Sequence, residues 1–166
     1  MFPLLYRQQR IGKGAQPFTM YKFRTMELGA DAMQKKMLPR NEADGPVFKI
    51  RNDPRFTRIG KFLSHTGLDE LPQLINVLRG EMAIIGPRPL PVAEAAKLKS
   101  WQKARHAIKP GIISPWVMEG YHSRPFDEWM KSDIRYVKEK SLWYDLVLFG
   151  RAMVFVGKLL VREITP

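Results

Sequence analysis

What most limits this chain is its punctuation. Twelve of its thirteen prolines and ten of its twelve glycines cut the stretch upstream of residue 126 into short pieces. The breaks fall at Gly12-Lys13-Gly14, at Gly45-Pro46 and Pro54, at Gly80, at Gly86-Pro87-Arg88-Pro89 and at Pro110-Gly111. Proline fixes φ and removes a donor, while glycine relaxes the backbone, so neither a long helix nor a broad sheet can run through such sites. Between the breaks the patterns differ. Residues 4–11 and 17–26 are aromatic-rich runs around a glycine turn, with Phe18, Tyr21 and Phe23 interleaved with Lys22 and Arg24, and they predict a β-hairpin. Residues 28–39, 56–63, 68–78, 91–107 and 126–139 carry helical spacing. In 68–78 it gathers Leu68, Leu71, Leu74, Ile75 and Leu78 on one side. Residues 41–54 and 112–125 read as loop or irregular chain. The expected fold class is α+β and mostly helical: an N-terminal β-hairpin, then short amphipathic helices, in one domain over residues 1–166.

The last segment runs without proline, with Gly150 and Gly157 its only breakers. Leu142 to Arg162 is rich in Leu, Val, Phe and Met, and at helical spacing Arg151, Lys158 and Arg162 fall in one narrow stripe. A wide apolar face with a thin cationic stripe suits a helix lying in a membrane interface, and also a helix that covers a protein core with its charges in water. No run is long and apolar enough for a spanning helix, and Met1–Tyr6 is too short for a signal peptide before Arg7 and Arg10. The abrupt start suggests a piece of a longer membrane protein. Charge adds a constraint, since 28 Lys and Arg against 16 Asp and Glu leave +12, which calls for an anionic partner. The absence of cysteine excludes disulfides and thiolate-held metals. His65, His106 and His122 show no metal-ligand spacing.

The residues most suggestive of chemistry are Asp69 and Glu70. They have a plain structural explanation: Thr66-x-x-Asp69 looks like a capping box, and acids favour a helix start. The surroundings favour chemistry. Lys22, Arg24, Arg51, Arg55, Arg58, Arg79 and Arg88 flank the pair. A carboxylate nucleophile acting on a phosphorylated substrate needs such cations to offset repulsion. Arg88, held in a Gly-Pro-Arg-Pro turn, suits bidentate phosphate contact.

Several segments together resemble the bacterial sugar transferase family, the monotopic polyprenyl-phosphate phosphoglycosyl transferases. They are Tyr6-Arg-Gln-Gln-Arg-Ile-Gly12, Tyr21-Lys-Phe-Arg-Thr-Met26, Asp53-Pro-Arg-Phe-Thr-Arg-Ile-Gly60, the long block from Leu68 to Leu90, and Lys109-Pro-Gly-Ile112. The resemblance implies that Asp69 attacks the β-phosphate of a UDP-sugar. UMP would leave, and a polyprenyl phosphate such as undecaprenyl phosphate would take the phosphosugar from Asp69. It implies that Glu70 assists, that Mg²⁺ sits near Asp69, and that Arg88, Lys22, Arg24 and Arg10 bind substrate phosphate. It further implies that several of the short amphipathic helices are membrane-interface helices resting on the bilayer, with Asp69 near headgroup depth, at the cytoplasmic face of the bacterial inner membrane and in contact with anionic lipids, at the start of polysaccharide or glycoconjugate assembly. Family members usually carry a re-entrant membrane helix before the segment matching Tyr6-Arg7, where this chain has five residues, and the 112–125 stretch departs from the family's usual continuation. Two other readings remain open: a membrane-surface scaffold without catalysis, and a basic nucleic-acid-binding domain stacking bases on Phe18, Tyr21 and Phe23. The family resemblance expects no nucleic-acid partner.

Overall fold

A computed structural model describes residues 4–50, 52–119 and 124–164. Arg51 and His122, singled out above, lie outside the described residues. The hairpin forms as predicted: β1 (Leu5–Ile11) pairs antiparallel with β2 (Pro17–Phe23), with Tyr6 opposite Lys22 and Arg7 opposite Tyr21. Period-two alternation gives the ribbon two faces. Phe18 and Met20 are buried on the inner face, against Met82. Phe18 is therefore a core residue and not a platform for bases.

After the hairpin, α1 (Ala30–Gln34) tightens into a 3₁₀ segment, Lys35–Arg40, that contains Pro39. Next, α2 (Arg58–Thr66) starts at Thr57, whose Oγ1 accepts from the Gly60 amide at 2.9 Å, and ends at Gly67 with φ 76°. Gly60 is a close-approach position. A Cβ there would lie 1.8 Å from the Thr25 carbonyl oxygen, so only glycine lets α2 press against the end of the hairpin.

The predicted helix over 68–78 comes as two pieces, a 3₁₀ segment Leu68–Gln73 and then α3 (Leu74–Leu78). Pro72 lies at the bend and withholds the donor that a continuous helix would need there. Its orientation is the reverse of a water-soluble helix. Pro72, Gln73 and Asn76 are buried, while Leu71, Leu74, Ile75 and Leu78 are exposed, Leu78 by 88%. Asn76 satisfies itself inside. It donates to the Thr19 carbonyl and to Glu81, both at 2.7 Å, and accepts from the Tyr21 amide at 3.2 Å. That one side chain ties α3 to β2.

Two three-residue strands, β3 (Ala83–Ile85) and β4 (Gly111–Ile113), pair in parallel. Neither was read as a strand: Gly111 lies at the Pro110-Gly111 break, and residues 112–113 lie in the stretch read as irregular. Where they meet, Gly86 and Gly111 stand so close that a Cβ on Gly111 would lie 2.0 Å from the Gly86 amide nitrogen. The predicted helix over 91–107 also divides, into α4 (Val92–Ala95) and a 3₁₀ segment Ser100–Ala107. The Gln102 side chain accepts from the Lys99 amide at 2.7 Å and so restarts the turn there. α5 (Pro115–Met118) is a single turn within the stretch read as irregular. α6 (Phe126–Glu139) buries Trp129 and Met130 beside Trp116, Val47 and Leu98 in the main core. α7 (Leu142–Ile164) packs through Leu148 and Ala152, both buried, and leaves Trp143, Leu146, Phe149, Met153, Val154 and Val161 exposed. Arg151, Lys158 and Arg162 are exposed as well. Among the described residues no helix is long and apolar enough to cross a membrane.

Candidate active site

The capping explanation for the acid pair does not hold locally. Thr66 is the last residue of α2, and its hydroxyl donates back to the Phe62 and Leu63 carbonyls at 2.8 and 3.2 Å. The turn into 68–73 is made by Gly67, with no side-chain cap. Asp69 and Glu70 are therefore free of that duty. The 3₁₀ segment that carries them lies against β2, and the strand's alternation sends Lys22 toward them.

The two carboxylates are treated unequally. Glu70 Oε1 accepts from Lys22 Nζ at 2.7 Å and from Arg88 at 2.8 Å. Burial pushes the Glu70 carboxyl up, but Arg88 and Lys22 outweigh it and bring it down to about 2. Asp69 is 6% exposed and has one long contact, 3.3 Å from Lys22 Nζ to Oδ2. Burial, opposed by Lys22 and reinforced by the neighbouring Glu70 charge, holds its carboxyl above the ordinary aspartate value. Glu70 is thus a fixed anion between two cations, and Asp69 is the more basic and less satisfied group.

Arg88 is held by its backbone as well as by Glu70. Arg105 donates to the Arg88 carbonyl at 2.5 Å and to Asp133 at 2.6 Å, and both Arg105 and Asp133 are buried. Arg10 donates to the Pro89 carbonyl at 3.0 Å and to Gln8 at 2.6 Å. The Ile11 amide donates to the Leu90 carbonyl at 3.0 Å. Two arginines and one strand edge therefore grip the Gly-Pro-Arg-Pro turn. Burial, with the Arg88 charge adding to it, lowers Arg10 to about 10.

Of the phosphate-binding candidates, Lys22 and Arg88 reach the acid pair, while Arg10 stands behind Arg88 and holds its turn. Arg24 is directed elsewhere: its guanidinium stacks over Tyr6 at 5.3 Å. Arg55, one of the flanking cations, forms a buried pair with Asp53 at 2.6 Å and donates to the Ala30 carbonyl at 3.0 Å, so it builds the fold. Sequence reading missed Arg105 and Asn76 as positioning groups. Their partners lie at least 17 residues away along the chain, apart from Glu81, and no local pattern marks such contacts.

Among the described residues no cluster of three or more Asp, Glu or His side chains could hold a metal on its own. The chemistry of the donors still suits a hard cation that arrives with phosphate, because Asp69 offers carboxylate oxygen and Mg²⁺ commonly binds one or two carboxylates with substrate phosphates and water.

Comparison with known proteins covers nearly the whole of this arrangement. The family model described as bacterial sugar transferase matches residues 1–158. The galactosyl transferase CpsE of Streptococcus agalactiae serotype III is 41% identical over 158 residues, 93% of this chain and 35% of that protein. An undecaprenyl-phosphate galactose phosphotransferase of Salmonella typhimurium is 37% identical, over 94% of this chain and 34% of its own length. A UDP-glucose:undecaprenyl-phosphate glucose-1-phosphate transferase of Escherichia coli K12 is 37% identical, over 87% of this chain and 30% of its own length. The chain spans about a third of the length of these relatives.

Proposed function

Because the chain belongs to the bacterial sugar transferase family, we propose that it transfers a sugar 1-phosphate from a UDP-sugar to undecaprenyl phosphate or a related polyprenyl phosphate, the initiating step of a polysaccharide or glycoconjugate. The observation that carries this reading is the division of labour in the acid pair: Glu70 tied to Lys22 and Arg88, Asp69 buried, raised and nearly uncommitted. Asp69 attacks the β-phosphorus of the UDP-sugar, and the bond to the UMP oxygen breaks with its electron pair leaving on UMP. An oxygen of the polyprenyl phosphate then attacks the same phosphorus, and the Asp69 carboxylate is released. Two displacements at one phosphorus predict ping-pong kinetics.

Lys22 and Arg88 receive the diphosphate, at the position Glu70 holds in the resting site. A carboxyl held near 2 is a poor base at neutral pH. Once phosphate draws the two cations away, Glu70 loses what keeps it low and becomes able to take the proton of the incoming lipid phosphate. Asp69 would hold Mg²⁺, which supplies charge neutralisation on the diphosphate. The exposed Leu71, Leu74, Ile75 and Leu78, with the outer face of α7, rest on the bilayer. That sets the acid pair near headgroup depth, where the acceptor's phosphate lies.

The test is UMP release across a panel of UDP-sugars, with Mg²⁺, detergent and undecaprenyl phosphate. Asp69→Asn should lower it on the order of a thousandfold or more. With donor alone, intact mass should reveal a phosphosugar adduct on the wild type and none on the variant. An Asp69→Asn protein that releases UMP at the wild-type rate would remove Asp69 as the nucleophile.

A further inference from the structure

One cationic cluster plays no part in that chemistry, and it lies on the outer face of the hairpin. Arg7 and Tyr21 are cross-strand partners. The Arg7 guanidinium lies 5.8 Å from the centre of the Tyr21 ring, and that of Arg79 lies 5.2 Å from it. Arg79 also donates to the Tyr21 hydroxyl at 2.7 Å. A single ring thus gathers two like charges. Lys22, Arg55, Arg88 and Arg105 each answer a carboxylate, whereas neither Arg7 nor Arg79 forms an ion pair among the described residues. Two guanidiniums held at one ring with no carboxylate paired to either leave their charge to be answered by an anion from outside the chain. Arg79 spends one edge donor on the Tyr21 hydroxyl, and contact through a ring face leaves a guanidinium's remaining edge donors available to phosphate.

The neighbourhood indicates what carries that phosphate. Arg79 directly follows Leu78 and stands one helical turn from Ile75, at the rim of the exposed apolar face of α3. Leu5, 40% exposed, lies two residues from Arg7 on the same face of β1. Cations at the edge of an apolar surface fit a phosphate that sits at the edge of hydrocarbon. A soluble polyanion would gain nothing from Leu78.

We propose that Arg7, Tyr21 and Arg79 form a docking site for the phosphate of an anionic phospholipid headgroup, at the rim of the apolar face of Leu74, Ile75 and Leu78. This rests on the reading that the face meets the bilayer. The site also bears on catalysis. The Tyr21 amide is held by Asn76 at 3.2 Å, and the next residue, Lys22, points through the ribbon to Asp69 and Glu70. A headgroup on the outside therefore braces the strand that presents the catalytic cation on the inside.

Vesicle flotation of the full chain separates the possibilities, with phosphatidylcholine alone compared with phosphatidylcholine containing phosphatidylglycerol. Arg7→Gln/Arg79→Gln should lose on the order of tenfold in binding to the anionic vesicles and little on the neutral ones. Tyr21→Leu, which keeps the net charge and the backbone amide, should lose a measurable part of the same preference. Lys103→Gln/Lys138→Gln removes as much charge from exposed positions elsewhere and should lose clearly less. Equal losses for the two double variants, or an unchanged anionic preference in Arg7→Gln/Arg79→Gln, would overturn the headgroup site and leave the bilayer reading standing. If the wild type floats with neither vesicle, or Leu74→Glu/Leu78→Glu floats as well as wild type, the bilayer reading fails and the headgroup site goes with it.

Discussion

At the scale of single residues, the acid pair is two groups with opposite settings. Glu70 sits near 2 when folded, against an ordinary value of 4.5. A lowered acid stabilises the native state above its unfolded pKa, and that contribution fades as pH falls through the folded value. Glu70→Gln should therefore lower stability by roughly 2–3 kcal/mol at pH 7, with the gap to wild type closing between about pH 4.5 and about 2. Urea unfolding at a series of pH values reads this directly. The same substitution removes a like charge beside Asp69, one of the causes of its raised carboxyl. Carboxyl-labelled NMR should then find Asp69 titrating at lower pH in the variant. Much of this site was legible in the sequence. Asp69, Glu70, Lys22 and Arg88 meet as the motif implies, because a hairpin and a rigid turn are short-range devices that fix where their side chains point. Arg24 was not legible. It lies diagonal to Tyr6 on the inner face of the ribbon, with its guanidinium over that ring.

Among the elements, α3 and β2 are joined by polar atoms inside the protein. Asn76 acts as donor and acceptor at once. Asn76→Asp changes one group and turns the donor into an acceptor that faces the Thr19 carbonyl and the Glu81 carboxylate. We expect a loss of about 3 kcal/mol or more, larger than for Asn76→Ala, since it leaves a buried charge against two acceptors. Denaturant midpoints of the two variants decide the order. Elements of this size also show where sequence reading stops. The hairpin, α2 and α6 were legible from periodicity within a few residues. The β3–β4 pair was not, because three residues give no period, and their pairing depends on Gly86 and Gly111 approaching from 25 positions apart. The 91–107 stretch kept helical spacing while a side chain, Gln102, broke it at Lys99.

Over the whole molecule, apolar area is distributed as if the surroundings were not all water. Fully burying one leucine or isoleucine is worth roughly 1.5–3 kcal/mol, yet Leu71, Leu74, Ile75 and Leu78 forgo this while Gln73 and Asn76 occupy the interior. Leu78→Ser should accordingly shift stability by less than about 0.5 kcal/mol and still weaken attachment to vesicles. Thermal melts and flotation of the same sample check both halves. A surface helix stabilised by packing would show the opposite, a lower melt with attachment unchanged. The periodicity of 68–78 was visible in the sequence, but its direction was not, since a helical wheel identifies an apolar side without saying which solvent it meets.

The two-faced ribbon imposes a rule on how such a chain can change over time. Lys22 points to the acids and Tyr21 away from them only because they are one residue apart on a strand of period two. Deleting or inserting a single residue within β2 would exchange the two sides, turning the tyrosine toward the acids and the lysine outward. Point substitutions along β2 can accumulate one at a time, but its length is inherited as a unit, and lineages should vary the turn after Gly12 well before they vary the strand.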